Sequence, residues 1–163
     1  MVEWRIVPAT ADRVTALAAC HIASWREAYG SLVPAPLLAA FDLDSSASTW
    51  ERRRRDDRYR LVVAHHDDEL IGFAAASRQP VGSELEALYV RSAWHGTGVA
   101  DELLATAVPE PSCALWVLAD YPRAHAFYRR HGFTDTGRRR IDPFTLLPEQ
   151  RWRRGPRYCD GHE

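Results

Sequence analysis

The chain has 163 residues, of which 46% are hydrophobic and 26% are charged, and its formal net charge is -1. This composition predicts a single globular domain over residues 1–163, and the near-neutral charge argues against a general polyanion-binding protein. No apolar run approaches the roughly 18 residues of a membrane span. The N-terminus also lacks a signal-peptide layout, so we expect a cytoplasmic protein without a membrane partner.

Cysteine and arginine usage narrows the function classes further. The three cysteines are scattered and odd in number, which predicts neither a disulfide framework nor a metal site. All 21 basic residues are arginine, and lysine and asparagine are absent; this is typical of a bacterial, GC-rich genome rather than of a particular chemistry. The arginine run at 52–55 spreads around a predicted helix and is flanked by acidic residues, so we interpret it as a solvated helix end.

The N-terminal third predicts one strand and three helices. Residues 4–8 alternate as in a strand, and Thr10 is a plausible N-cap for a helix that ends near residue 29. The spacing of three and four residues places one set of side chains on a single face of that helix: Val14, Ala18, His21, Trp25 and Tyr29. A short helical piece is expected at 36–41, and a helix capped by Ser45 or Ser46 ends in the arginine run.

From residue 60 onward the pattern changes to strands, which then alternate with helices. Strands are predicted at 60–65, 70–76, 84–90, 114–119, 133–140 and 151–158, and helices at 98–108 and 122–130. This order indicates an α/β (α+β) fold with a largely antiparallel front and a βαβα back. Residues 141–150 and the tail from Cys159 are expected to be loops.

A glycine-rich loop joins the predicted strand at 84–90 to the next helix. Gly96 and Gly98 permit tight curvature and leave the backbone amides uncovered at a helix N-terminus, which favours a diphosphate. The Walker loop is excluded because the chain has no lysine. The dinucleotide fingerprint fails because no third glycine follows Gly98 at the required spacing. The phosphate loop that remains is one that binds coenzyme A.

The residues of this loop resemble the motif [QR]-x-x-G-x-[GA] of the GNAT family of N-acetyltransferases. The match is formed by His95, Gly96, Thr97, Gly98, Val99 and Ala100, with histidine in place of the usual glutamine or arginine. The resemblance implies the GNAT fold, with a mostly antiparallel sheet of about six or seven strands and about four or five helices. It also implies acetyl-CoA as cofactor, a strand that splays from its neighbour, and cofactor contacts from Leu88, Tyr89 and Val90.

Residues 115–133 resemble a second GNAT motif, a strand followed by Asn and A-x-x-F-Y-x-x-x-G-F. The positions that fit in register are Ala124, Phe127, Tyr128, Gly132 and Phe133. Tyr121 stands where the asparagine is usual. The resemblance places Tyr121 and Tyr128 at the cofactor and implies that Tyr128 protonates the departing thiolate as a general acid.

Acyl transfer to an amine requires a base, and two glutamates are candidates. Glu84 and Glu86 lie two residues apart on a predicted strand and are expected to share a face with Leu88 and Val90. Either is a candidate base, and the alternative is that one or both reach solvent at the start of the strand.

By family analogy, the first helix contributes to the acceptor pocket. His21, Trp25 and Tyr29 are its candidates, with His21 as an alternative base. Core packing is the other interpretation of this helix face.

We therefore expect an acetyl-CoA-dependent N-acetyltransferase, an acyltransferase that works by direct attack of a primary amine on the thioester. A backbone amide near Val90 would polarise the thioester carbonyl. The acceptor is a small-molecule amine or a protein N-terminus, and a homodimer is expected because GNAT proteins often dimerise. One alternative is a non-catalytic acyl-CoA-binding or sensor module on the same fold. The other is a nucleic-acid-binding module, which the net charge argues against.

Overall fold

The computed structural model describes residues 3–156. It contains one seven-stranded sheet with the order β1-β2-β3-β4-β5-β7-β6. The strands are β1 (Arg5–Pro8), β2 (Tyr59–His66), β3 (Glu69–Arg78), β4 (Ser83–Val90), β5 (Cys113–Leu118), β6 (Thr134–Ile141) and β7 (Pro148–Arg154). The helices are α1 (Val14–Tyr29), α2 (Ala35–Ala39), α3 (Leu43–Arg54), α4 (Val99–Ala107) and α5 (Pro122–Arg130).

The predicted α/β fold with a mostly antiparallel sheet is confirmed. Neighbouring strands pair antiparallel throughout, except for the parallel pair of β4 and β5. Helices cover both faces of the sheet. On one face α4 buries Leu103 and Leu104, and on the other α1 and α3 bury Leu17 and Trp50. Each such side chain contributes about 1.5–3 kcal/mol when it leaves water. Between residues 3 and 156, no helix has both the length and the apolar character needed to cross a bilayer.

The start of α3 differs from its prediction. Asp42, not Ser45 or Ser46, is the N-cap, and its carboxylate accepts from the Ser45 backbone amide at 2.8 Å. Aspartate caps as well as serine does, and its charge also interacts favourably with the helix dipole. The helix therefore begins one turn earlier, at Leu43.

The C-terminal strands also differ from their predictions. β7 begins at Pro148 instead of residue 151, and β6 extends to Ile141. Of the segment expected to be a loop at 141–150, residue 141 ends β6, residues 148–150 belong to β7, and residues 142–147 connect these two paired strands. The predicted continuation of the last strand to Tyr158, and the tail from Cys159, lie outside the described residues.

A β-bulge in β4 changes the alternation of its side chains. The pairing with β3 shifts by one residue, so that Ala75 opposes Ala87 while Ala76 opposes Leu85, and Glu86 is the extra residue. The β4 side chains that pack with α4 are Leu85, Leu88 and Val90. Ala87 and Tyr89 pack on the opposite face, with α1 and α3.

β4 and β5 pair over only three residues, from Ser83 with Cys113 to Leu85 with Leu115. Both strands continue beyond that point, β4 to residue 90 and β5 to residue 118, without pairing to each other. The two strands therefore diverge and open a gap inside the sheet. This confirms the predicted splay.

Candidate functional site

The gap between β4 and β5 opens into a cleft of about 790 Å³. The Arg91 amide donates to the Ile71 carbonyl of β3 at 2.9 Å. Because backbone groups alternate in direction along a strand, Leu88 and Val90 turn theirs away from β3 and into the gap. The His95 ring lies 2.9 Å from the Val90 carbonyl oxygen. The other backbone groups of these two residues can bind an extended ligand as a neighbouring strand would.

The loop after β4 presents a row of backbone amides at one end of this cleft. Gly96 and Gly98 have φ angles of 77° and 96°, which glycine adopts without strain. No hydrogen bond between residues 3 and 156 uses an amide of residues 96–101 as its donor. A methyl group at Gly96 would meet no atom within 4 Å, so the loop faces open space. These amides lie at the positive end of α4 and fit a diphosphate.

Two side chains of the loop maintain its shape. The His95 ring is bonded to the Val90 carbonyl, and the Thr97 hydroxyl donates to the Trp94 carbonyl at 2.6 Å. Histidine in place of the usual glutamine or arginine thus has a structural contact of its own. The amides that would bind phosphate belong to the backbone and are unaffected by this departure.

Tyr128 of α5 lines the same cleft from the opposite wall. Its ring packs edge-on against Phe133, with centroids 5.6 Å apart. Burial raises the pKa of the Tyr128 phenol well above its ordinary value, so the hydroxyl stays protonated and can act as a proton donor. Tyr121 also lines the cleft, with its ring 5.9 Å from that of Tyr29. The loop, the β4 end and the two tyrosines predicted as cofactor contacts therefore border one cleft.

The prediction that Glu84 and Glu86 share a face with Leu88 and Val90 is wrong. The bulge inserts one residue between the glutamates and the end of the strand, which reverses the alternation. Both glutamates instead line a second cavity of about 540 Å³, on the side of Tyr89 and α1.

The two glutamates differ in their surroundings. Glu84 forms a two-point ion pair with Arg151, and one of its contacts is 2.7 Å long. Glu86 has no ion-pair partner within 4.0 Å among residues 3–156. Desolvation by the cavity walls raises the pKa of Glu86, and the positive charge of Arg53 opposes that shift. Glu86 is thus the carboxylate that is free to accept a proton.

The three predicted acceptor residues, His21, Trp25 and Tyr29, line the second cavity from α1. The core-packing interpretation also applies to two of them. Trp25 is 5% exposed, and His21 Nδ1 accepts from the Trp50 indole at 3.2 Å. Burial lowers the pKa of His21 to about 4. His21 is therefore neutral near pH 7 with its free lone pair already used, which disfavours it as the alternative base.

Several residues of the second cavity were not predicted from the sequence. The ones that matter for its chemistry are Phe41, Arg53, Trp116, Arg140 and Phe144. Phe41 and Phe144 lie in loops, where no periodicity points to a site. The interpretation of the arginine run as a solvated helix end is wrong for Arg53, which is half-buried and faces the cavity.

The two cavities adjoin each other. They share Tyr29, Leu85, Glu86, Tyr89 and Trp116. A ligand held in the β4–β5 gap thus lies next to the second cavity, on the side where Glu86 stands. Such a junction suits transfer of a group between two bound molecules.

Solved structures share this fold. The PaiA N-acetyltransferase from Thermoplasma acidophilum, in complex with coenzyme A, has a TM-score of 0.77 and 16% identity, over 93% of this chain and 98% of that one. A ribosomal-protein-alanine N-acetyltransferase from Brucella melitensis has a TM-score of 0.68 and 21% identity, over 92% and 98% of the two chains. At these identities the likeness shows the fold.

Sequence comparisons match the chain to N-acetyltransferases. An uncharacterized N-acetyltransferase of Mycobacterium tuberculosis is 29% identical over 116 residues, which cover 67% of this chain and 74% of that protein. Residues 57–135, which contain β2 to β5 with α4 and α5, match the acetyltransferase (GNAT) domain. With the splayed strands and the glycine loop in place, the matched region carries a GNAT acetyltransferase domain.

Proposed function

We propose that this protein transfers an acetyl group from acetyl-CoA to a primary amine by direct attack. The observation that carries the proposal is the junction of the two cavities at Glu86, Tyr89 and Trp116. One cavity fits an extended ligand that ends in a diphosphate, and the other is aromatic and contains carboxylates. GNAT acetyltransferases use acetyl-CoA, which supplies the acetyl group as a thioester.

The first task of the chain is to hold and orient the cofactor. The amides of residues 96–101 bind the diphosphate at the start of α4. The backbone groups of Leu88 and Val90 bind the pantetheine arm along the open edge of β4. The Val90 amide faces the gap and donates to the thioester carbonyl oxygen, where negative charge develops during attack.

The second task is to move two protons. Glu86 removes one from the incoming ammonium, so that the amine attacks as a neutral nucleophile. Tyr128 gives its proton to the departing sulfur from the opposite wall. The second nitrogen proton, lost as the amide forms, restores the Tyr128 phenol, and Glu86 releases its proton to solvent. The desolvation that raises the pKa of the Tyr128 phenol also raises that of a thiolate beside it, so donor and acceptor stay matched.

The test is a transfer assay on the purified full chain. Acetyl-CoA and longer acyl-CoAs are incubated with amines of different classes, and free thiol is measured with Ellman's reagent. Amine-dependent thiol release that is lost in Glu86→Gln supports the proposal.

Calorimetric titration with acetyl-CoA separates the other outcomes. Binding without transfer to any amine would overturn the transfer proposal in favour of a non-catalytic acyl-CoA-binding module. Failure to bind acetyl-CoA would overturn both readings.

A further inference from the structure

Among the described residues, the second cavity contains one arginine without an ion-pair partner, and its charge also acts on Glu86 of the same cavity. Arg53 of α3 is half-buried and lines this cavity. Its guanidinium carbon lies 4.8 Å from the Trp50 ring centre and 5.7 Å from that of Tyr59. Among residues 3–156 no carboxylate oxygen lies within 4.0 Å of it. Because this guanidinium packs against aromatic rings and is partly desolvated, it is preorganised to bind a carboxylate.

The neighbouring arginines of the run do not share this position. Arg54 forms an ion pair with Glu51 at 2.7 Å, and Arg52 donates to the Thr49 hydroxyl. Arg55 is exposed at the end of the helix. The cavity contact of Arg53 is therefore specific to one position of the run.

The remaining charges of the cavity are largely used within the protein. Glu84 is paired with Arg151, and Glu149 with Arg140 at 2.7 Å. Asp142 accepts from the amides of its own turn, at 2.9 and 2.7 Å. Glu86 and Arg53 are two opposite charges of the cavity wall that form no ion pair within residues 3–156.

The rest of the cavity wall is aromatic. Trp25 lies 5.0 Å from Phe41 and 5.9 Å from Phe144 between ring centres. His21 lies 5.0 Å from Tyr89 and is neutral near pH 7. A ligand body that fits this wall is a ring or a large aliphatic group. A polyamine or an aminoglycoside would instead bring further positive charge toward Arg53.

From these observations we infer that the acceptor is a zwitterion: a small primary amine with a large apolar or aromatic body and a carboxylate that binds Arg53. The inference rests on the proposed function, because it assigns the acceptor of the same reaction. With the ammonium at Glu86 and the carboxylate at Arg53, both charges gain an ion-pair partner. Amino acids with large apolar side chains belong to this class.

The experiment removes the carboxylate from the substrate and the guanidinium from the protein. Phenylalanine and phenethylamine, and tryptophan and tryptamine, are compared as acceptors for wild type, Arg53→Gln and Arg55→Gln. We expect wild type to prefer the amino acid of each pair. Measured at a pH above the acidic limb of the profile, Arg53→Gln should lower kcat/KM for the amino acids by about 10- to 100-fold and affect the decarboxylated amines far less. Arg55→Gln, the matched control on the same helix end, should behave as wild type.

Two results would overturn the inference. One is a wild-type enzyme that acetylates both members of each pair equally well. The other is an equal loss for both members in Arg53→Gln with a shifted pH profile, which would make Arg53 a tuning residue for Glu86. Arg53→Lys keeps the charge and should restore part of the preference.

A measurement of amino-acid binding tests the inference independently of turnover. Calorimetry of phenylalanine with the CoA-bound protein should show binding that Arg53→Gln weakens by the same factor. If no amine is acetylated, the proposed function fails, and this titration still decides the inference. Equal affinity in wild type and Arg53→Gln would overturn it.

Discussion

Glu84 of β4 and Arg151 of β7 form a two-point ion pair across the intervening strand β5. One of its contacts is 2.7 Å long, and the two side chains are 20% and 13% exposed. The Arg151 guanidinium also lies 5.3 Å from the Trp116 ring centre. The pair neutralises Glu84 and fixes it to the sheet. Two glutamates separated by one residue in sequence therefore have different roles, one structural and one available for chemistry.

Glu84→Gln should destabilise the protein because it leaves a half-buried guanidinium without its counter-charge. We expect the free energy of unfolding in urea to fall by about 3 kcal/mol. Arg130→Gln, which breaks a pair with Asp101 whose two side chains are 62% and 38% exposed, should cost less than about 1 kcal/mol. Equal losses in the two variants would contradict a structural role for the Glu84 pair.

Glu86→Gln should impair turnover and leave the fold intact. Loss of a general base lowers kcat/KM by about 10²- to 10⁴-fold. In wild type, kcat/KM should rise with pH as Glu86 ionises through a pKa above its ordinary value of 4.5, and this acidic limb should vanish in Glu86→Gln. Stopped assays across the pH range check both points. A retained limb in Glu86→Gln would assign it to another group.

The cofactor half of the site was predictable from sequence because the residues that form it are consecutive in the chain. A strand, two glycines at 96 and 98 and a helix follow one another without interruption, and the backbone conformation that glycine permits is enough to expose the amides. The boundaries of α5 were equally predictable, since Pro122 lies at its first position and Gly132 follows its end.

The acceptor half was not predictable in the same way. The bulge at Glu86 has no signal in an apolar strand, and one inserted residue was enough to move both glutamates to the other face. Phe41 and Phe144 reach the cavity from distant loops, and Arg53 looked like any other arginine of its run. Contacts between residues far apart in the chain decide these positions.

Gly96→Ala should weaken coenzyme A binding, whereas Gly137→Ala should not. Gly96 and Gly137 both have positive φ, of 77° and 88°, and a methyl group at either would meet no atom within 4 Å. Alanine at either position costs about 1–2 kcal/mol of backbone strain. At Gly96 the methyl also covers the amides of the loop, so calorimetry should show roughly tenfold weaker binding, about 1.4 kcal/mol. Gly137→Ala, on β6, should bind as wild type, and an equal loss in both variants would contradict the loop assignment.

Tyr128→Phe should lower kcat and leave coenzyme A affinity unchanged. The phenylalanine ring keeps the packing against Phe133 but has no proton for the departing sulfur, and loss of a general acid costs about 10²-fold or more. Tyr121→Phe is the matched control, because it removes a hydroxyl from the same cleft without removing the proposed acid. Steady-state assays with a saturating amine give kcat directly. An unchanged kcat in Tyr128→Phe over the full pH range would remove the general-acid role.

Acid should destabilise the protein through His21. Burial lowers its folded-state pKa to about 4, below the 6.5 of an unperturbed histidine. The folded protein therefore binds this proton less readily than the unfolded chain, so stability is lost as pH falls from about 7 toward 4. At about pH 5 the loss from this group is on the order of 2 kcal/mol.

Urea unfolding of wild type and His21→Gln at about pH 7.5 and pH 5 isolates the His21 contribution, because every other titrating group is common to both proteins. Glutamine keeps an acceptor for the Trp50 indole, so the fold should survive the substitution. We expect His21→Gln to lose about 2 kcal/mol less than wild type between the two pH values. The same loss in both proteins would show that His21 takes up its proton in the folded state as easily as in the unfolded chain, and it would restore His21 as a candidate base near neutral pH.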